Sequence, residues 1–223
     1  MTLLNPKNIF TDNMQITILY VNMKNVLENA GLLQALSNLV QGVFTLPELS
    51  SLFNISDFQK LQALIRQFVN AGLLTRYCRG VYVTKGFDIK VLSAKVRPDS
   101  YVTFGSALAA HKLIGTESPF MVSCAVPSRA AEYTGNTNLS YSRISQDLYF
   151  GFEPNEYGVK IATPEKAVLD TFYFYQHGKN FYFNIFQDIQ FSALSKKKME
   201  TYLEKYNNPK FQSFVRNNIY GKL

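Results

Sequence analysis

The chain has 223 residues, of which 47% are hydrophobic and 14% aromatic, and this composition excludes a largely disordered protein. Its length suits one large domain or two small ones. Cys78 and Cys124 cannot build a disulfide framework and fit a reducing compartment, so we expect a cytoplasmic protein. The apolar run over residues 14–21 is too short to span a bilayer, and no cleavage pattern follows it.

The net charge of +7 is unevenly distributed. Residues 1–97 carry ten Lys and Arg against five Asp and Glu, residues 98–191 six against nine, and residues 192–223 seven against two. Basic ends around an acidic middle indicate binding to a polyanion, although an ordinary solvated surface explains the same pattern. The run Lys196-Lys197-Lys198 has the same two interpretations: a solvated helix face, or a contact to DNA or to an acidic protein surface.

The first part of the chain predicts three helices. Apolar side chains recur at helical spacing over residues 24–40, at Val26, Ala30, Leu33, Leu36 and Val40. Thr45 is a suitable N-cap for a second helix that ends near Phe53, with Pro47 and Glu48 in its first turn. Ser56 or Asp57 can cap a third helix that ends near Asn70. The buried stripe predicted for this third helix is Phe58, Leu61, Leu64 or Ile65, and Phe68.

A β-hairpin is predicted next, with strands over residues 73–77 and 81–84 and a turn between them. Three helices followed by a hairpin is the element order of a winged helix-turn-helix, which we assign to residues 24–86, with the third helix as recognition helix. Residues 1–23 are interpreted as an N-terminal extension and residues 87–99 as a linker.

The exposed positions of the third helix carry side chains that can bind base edges or phosphates. The hairpin and the residues after it add cations, with six Lys and Arg against one Asp over residues 73–97. The predicted DNA-binding residues are Gln59, Lys60, Gln62, Arg66, Gln67, Arg76, Arg79 and Lys85. Winged helices also serve as protein-interaction modules, and that alternative stays open.

Residues 100–223 predict a mixed α/β domain with C-terminal helices. Strands are expected over residues 101–103, 120–126, 139–144, 148–152 and 157–162. Ser106 is the natural N-cap of a helix over residues 107–113, and Thr163-Pro164-Glu165 has the capping pattern of a strongly apolar helix. Two further helices are expected over about residues 192–206 and 208–219.

Few polar residues of this domain are functional candidates. Lys166 and Asp170 are four residues apart on one helix face and can simply pair, a contact worth a few tenths of a kcal/mol. Arg129 and Arg143 near strand ends can form ion pairs, or contact a nucleotide or a partner. With His111, these are the five candidates of the second half. No metal-ligand spacing and no phosphate-binding, dinucleotide-binding or nucleophile motif is present, so we expect no metal, no cofactor and no enzyme.

Several segments, in their order and spacing, carry a family resemblance. They are Arg79-Gly80-Val81-Tyr82, Tyr101-Val102, the segment from Ser106 to His111, and the segment from Ala162 to Asp170. Over roughly residues 24–190, the chain resembles the AbiEi antitoxins of type IV toxin–antitoxin systems, which act in abortive infection. It departs from them at Lys112, where relatives commonly carry glycine.

The resemblance implies an α+β protein, a winged helix-turn-helix followed by an antitoxin domain over residues 100–223. It implies a repressor that binds inverted repeats in the double-stranded DNA of its own promoter, as a monomer in solution that binds DNA cooperatively. It also implies that the C-terminal domain counteracts a nucleotidyltransferase toxin without a stable complex. Two alternatives stay open: a stand-alone transcription factor whose second domain senses a ligand or dimerises, and an enzyme acting on a nucleotide or on the toxin.

Overall fold

The computed structural model describes residues 28–35, 37, 40–115 and 118–223. The protein is of the α+β class, and its described residues form two sheets. It divides into two units, Met1–Phe87 and Asp88–Leu223. The predicted extension over residues 1–23 lies outside the described residues, as do Val26 and Leu36. Within the described ranges, no helix combines the length and apolarity that crossing a membrane requires.

The first unit alternates helices with a small antiparallel sheet. Its elements are α1 (residues 28–35), β1 (Val43–Thr45), α2 (Leu46–Phe53), α3 (Phe58–Asn70), β2 (Thr75–Cys78) and β3 (Val81–Val83). The strands lie in the order β1-β3-β2, so β3 pairs with both neighbours. Strand β1 was not predicted. The core of this unit consists of Leu33, Phe44, Leu49, Leu61, Leu64, Ile65, Phe68, Leu74 and Tyr82.

The predicted caps of α2 and α3 are confirmed. The Glu48 amide donates to Thr45 Oγ1 at 3.4 Å, and the Thr45 amide donates to Glu48 Oε2 at 2.7 Å, which completes a capping box. Asp57 Oδ1 accepts from the amides of Gln59 and Lys60 at 2.8 and 3.1 Å. Both helices therefore begin where side chains satisfy amide groups that have no partner within the helix.

Among its described residues, the second unit contains a six-stranded mixed sheet and five α-helices. The helices are α4 (Ile89–Val96), α5 (Phe104–Ala110), α6 (Pro164–Gln176), α7 (Lys196–Leu203) and α8 (Pro209–Ile219). The strands are β4 (Tyr101–Val102), β5 (Met121–Val126), β6 (Ala131–Tyr133), β7 (Asn138–Arg143), β8 (Phe152–Pro154) and β9 (Lys160–Ala162). Their order is β6-β7-β5-β4-β9-β8; β5–β7 and β4–β9 are parallel pairs, and the other pairs are antiparallel.

The predicted linker over residues 87–99 is wrong, because residues 89–96 form helix α4. Asp88 caps this helix by accepting from the amides of Lys90 and Val91 at 2.7 and 2.9 Å. Val91 and Leu92 are buried, so α4 belongs to the core of the second unit. In the sequence, the lysines at positions 90 and 95 are typical of a solvent-exposed linker, which is why the helix was not predicted.

Of two predicted caps in the second unit, Ser106 is wrong, whereas Thr163 lies at the predicted position but lacks the capping hydrogen bond. Helix α5 begins at Phe104, so Ser106 lies inside it, where its Oγ accepts from the Ser123 amide at 3.0 Å. Thr163 does precede α6, but its hydroxyl is buried and forms no capping hydrogen bond. The predicted strand over residues 148–152 also differs, because Leu148 ends a 3-10 turn and the strand begins only at Phe152.

Candidate nucleic-acid interface

Helix α3 presents a polar face on the side opposite its buried stripe. Gln59, Lys60, Arg66 and Gln67 are exposed and Gln62 is half-buried. Leu61, Leu64, Ile65 and Phe68 hold the other side of the helix in the core. This division follows from the helical repeat of 3.6 residues, which separates the two sets of positions around the axis. All five residues predicted to bind DNA from this helix are therefore accessible to some degree.

Phe58 was predicted to be buried, and this is wrong. Its side chain is 63% exposed, because the first turn of α3 extends beyond the hydrophobic core. It lies directly before Gln59, at the end of the helix where recognition helices present their first base-reading side chains. An apolar side chain there can contact the methyl group of thymine. Phe58 is thus a candidate contact that helical spacing alone placed in the core.

The β2–β3 hairpin places two arginines at its exposed end. Arg79 lies in the turn beside Gly80, whose φ of +78° is a conformation that favours glycine. Arg76 is exposed on β2, and its Nε donates to the carbonyl oxygen of Cys78 at 3.3 Å across a β-bulge. Lys85 is exposed just after β3. Over residues 40–87, five Lys and Arg stand against two acids, so this region is cationic.

Lys166 and Asp170, which were predicted to share a helix face and to pair, do so with both side chains 0% exposed. They form an ion pair within α6, and Asp170 accepts four hydrogen bonds in all. Its Oδ2 accepts from the Tyr101 hydroxyl and from Thr103 Oγ1, both at 2.8 Å. Its Oδ1 accepts from Lys166 Nζ and, at 3.1 Å, from the Tyr206 hydroxyl. The carboxylate is therefore fully satisfied in the absence of water.

Aromatic rings surround the buried ammonium group. Lys166 Nζ lies 4.7 Å from the ring centre of Phe150, 5.3 Å from that of Tyr206 and 5.7 Å from that of Tyr101. Burial lowers the pKa of Lys166, and the charge of Asp170 opposes this effect. Burial and then the charge of Asp170 raise the pKa of both tyrosine hydroxyls well above their ordinary value. This cluster belongs to the interior, so neither charged group can contact a partner protein directly.

The other three candidates of the second unit lie apart from this cluster. His111 caps the end of α5, and its Nε2 lies 2.7 Å from the carbonyl oxygen of Ala162. Arg129 and Arg143 are exposed, in the β5–β6 connection and at the end of β7. Among the described residues, no hydrogen bond or ion pair joins the side chains of these three to one another, so they do not form a shared catalytic arrangement.

The lysine run at the start of α7 is divided between different roles. Lys196 Nζ lies 5.7 Å from the ring centre of Tyr220, and Lys198 Nζ lies 3.7 Å from Glu165 Oε2. Lys197 is exposed.

In the part of the chain that the structure describes, no cluster of three or more His, Cys, Asp or Glu side chains could hold a metal ion.

Comparison with known proteins supports the fold class alone. No family model and no curated protein matches the chain. Among solved structures, the chain is similar to the RV2827C protein from Mycobacterium tuberculosis, with a TM-score of 0.54 and 11% sequence identity. The similarity covers 83% of this chain and 75% of the mycobacterial one. The two proteins therefore share a fold over most of their lengths.

Proposed function

We propose that the protein binds double-stranded DNA through its first unit, which acts as a winged helix-turn-helix. The observation that carries this proposal is the sequence of elements around α3. A helix with an exposed polar face is followed by a hairpin whose turn carries Arg79 and whose first strand carries Arg76. The small sheet and the core fix both elements in one unit, as a recognition helix and a wing require.

The side chains of α3 are suited to contacts with DNA bases, and those of the wing to contacts with phosphates. Gln59, Gln62 and Gln67 can each form two hydrogen bonds to adenine, and Arg66 can do so with guanine. Arg76, Arg79 and Lys85 on the wing are cations that bind phosphates without reading sequence. Helix α3 is polar rather than strongly basic, so affinity would come mainly from the wing and specificity from the helix.

We further propose that the protein is an AbiEi-type antitoxin that represses its own promoter in the cytoplasm and counteracts a nucleotidyltransferase toxin. The support for this part is the resemblance of residues 24–190. The most recognisable residues of the second unit, Lys166 and Asp170, are buried and would act by holding the domain together. Direct contact with a toxin would fall instead to exposed groups such as Arg129 and Arg143.

DNA binding is tested by fluorescence anisotropy with the DNA upstream of the gene. We expect salt-dependent binding that the double variant Arg76→Ala/Arg79→Ala weakens, because two phosphate contacts are lost. Arg129→Ala/Arg143→Ala is the matched control, since it removes two exposed arginines from the second unit. Full DNA affinity in the Arg76→Ala/Arg79→Ala variant, with an unchanged circular dichroism spectrum, would contradict the assignment of the β2–β3 hairpin as a DNA-binding wing.

The antitoxin role is tested by co-expression with the nucleotidyltransferase-like protein expected from a neighbouring gene. We expect growth arrest by that protein alone and recovery when this chain is present. Persistent arrest, together with specific DNA binding, would instead favour a stand-alone transcription factor. Recovery with covalent modification of the toxin would favour an enzyme.

A further inference from the structure

The second unit has an open cavity of about 400 Å³. This volume is large enough for a small organic ligand. It lies between one face of strands β5, β6 and β7 and the segment over residues 179–182, with the start of α5 at its side. None of the residues predicted from the sequence to be functional lines it. The cavity is therefore a site separate from the proposed DNA interface.

The floor of the cavity is a polar patch of the sheet. Glu132 on β6 pairs with Ser140 on β7, and Ser140 pairs with Ser123 on β5, so the three side chains share one face. Cys124 and Tyr141, one residue further along, lie on the opposite, buried face. Because serine side chains are small, this row leaves space above the sheet where larger residues would fill it.

Aromatic side chains form the walls. The rings of Phe181 and Tyr182 line the cavity beside the buried ring of Phe104, and Tyr182 is 59% exposed. Gly105 allows Tyr182 to approach closely, because a Cβ there would lie 2.5 Å from the Tyr182 hydroxyl oxygen. Phe104 has a φ of +52°, which is strained for a bulky side chain, and such strain persists where the surrounding structure requires it. The accessible rings of Phe181 and Tyr182 can therefore stack on a planar ring.

One cation lines this cavity. Lys179 Nζ donates to Ser142 Oγ at 3.1 Å and lies 5.3 Å from the ring centre of Phe104. Lys179 is half-buried, and no carboxylate among the described residues lies within ion-pair distance of it. Burial lowers its pKa, an effect that the charge of Glu132 opposes. A partly desolvated ammonium group with donors to spare attracts an anion more strongly than an exposed lysine does.

We propose that this cavity binds a small planar ring that carries one carboxylate or phosphate group. Lys179 binds the anionic group, and the rings of Phe181 and Tyr182 hold the planar part. Glu132 in the floor accepts a hydrogen bond from a ring or amino N–H and disfavours a ligand with further negative charge. Aromatic carboxylates and nucleoside monophosphates share this chemistry.

Calorimetric titration of the full chain, without DNA, tests the proposal independently of DNA binding. The probes are salicylate and adenosine monophosphate, each with its uncharged counterpart, salicylamide and adenosine. We expect at least one anion to bind about 10- to 100-fold more tightly than its counterpart, because a charged hydrogen bond is lost in the latter. The anion that binds identifies the class of ligand.

The variants locate the site. Lys179→Met should reduce anion affinity to that of the uncharged probe, whereas Lys179→Arg should retain it. Lys197→Met is the control, because Lys197 is exposed and does not line the cavity, and it should leave anion affinity unchanged. Absence of saturation by both anions up to about 1 mM would overturn the proposal. Equal binding of charged and uncharged probes, or full affinity in Lys179→Met, would overturn it as well.

Discussion

At the scale of single residues, the buried pair of Lys166 and Asp170 is the unusual feature. Removing two charges from water is unfavourable, and their mutual attraction compensates only when every remaining hydrogen-bonding group is satisfied. Here the carboxylate accepts from four donors, and the ammonium group lies among three rings. We therefore expect this network to favour one particular arrangement of β4, α6 and the α7–α8 connection more than it raises total stability.

Removing one charge should therefore harm the protein more than removing both. Asp170→Asn leaves a buried ammonium group without a counter-charge, and we expect a loss of about 3 kcal/mol or more in the free energy of unfolding. Lys166→Met/Asp170→Asn should recover part of that loss. Urea denaturation of the wild type, both single variants and the double variant gives the coupling energy. Strictly additive single losses would contradict the assigned pairing.

Tyr206 should make stability depend on alkaline pH. Its pKa is raised in the folded state, so below about pH 10 the hydroxyl is protonated in both states and its contribution is fully present. Above that pH the unfolded chain releases the proton and the folded chain keeps it, which lowers stability by about 1.4 kcal/mol per pH unit. Urea denaturation between pH 9 and 11 should show a shallower decline in Tyr206→Phe. Parallel declines would contradict the raised pKa.

At the scale of elements, prediction succeeded where the determining contacts are local. Helices α2 and α3 have caps and apolar stripes within a few residues of each other, so the sequence contains the whole pattern. Helix α4 was missed because its lysines obscure a short apolar stripe that is buried mainly by the distant strand β5. The cavity was missed for a related reason, since Glu132, Ser140 and Ser123 come together only through strand pairing.

Asp57 caps α3, and under the proposed function we expect its negative charge to oppose binding of the DNA phosphate backbone. Asp57→Ala removes the acceptor for two amides of α3, so we expect about 1 kcal/mol less local stability and roughly fivefold faster amide hydrogen exchange in α3. Asp57→Asn retains the acceptor and should leave exchange nearly unchanged. It should also bind DNA more tightly, because a negative charge is removed. Equal exchange in both variants would contradict the capping role.

At the scale of the whole molecule, charge is concentrated in two separate regions. One is the cationic region of the first unit, and the other is residues 192–223, with seven Lys and Arg against two acids. In the second region, Arg216 and Lys198 already form ion pairs with Glu200 and Glu165, which reduces the charge available to a ligand. The proposed function therefore assigns DNA binding to the first region, although residues 192–223 carry the larger net positive charge in the sequence.

The salt dependence of DNA binding separates these regions. Each phosphate contact contributes about −0.9 to the slope of log K against log salt concentration, so Arg76→Ala/Arg79→Ala should reduce its magnitude by about 1.8. Lys197→Ala/Lys210→Ala removes two exposed charges from the second unit and should change neither the slope nor the affinity. Anisotropy titrations at several salt concentrations measure both quantities. A reduced slope in the lysine variant would mean that the second unit also contacts the phosphate backbone, and the wing would then supply only part of the affinity.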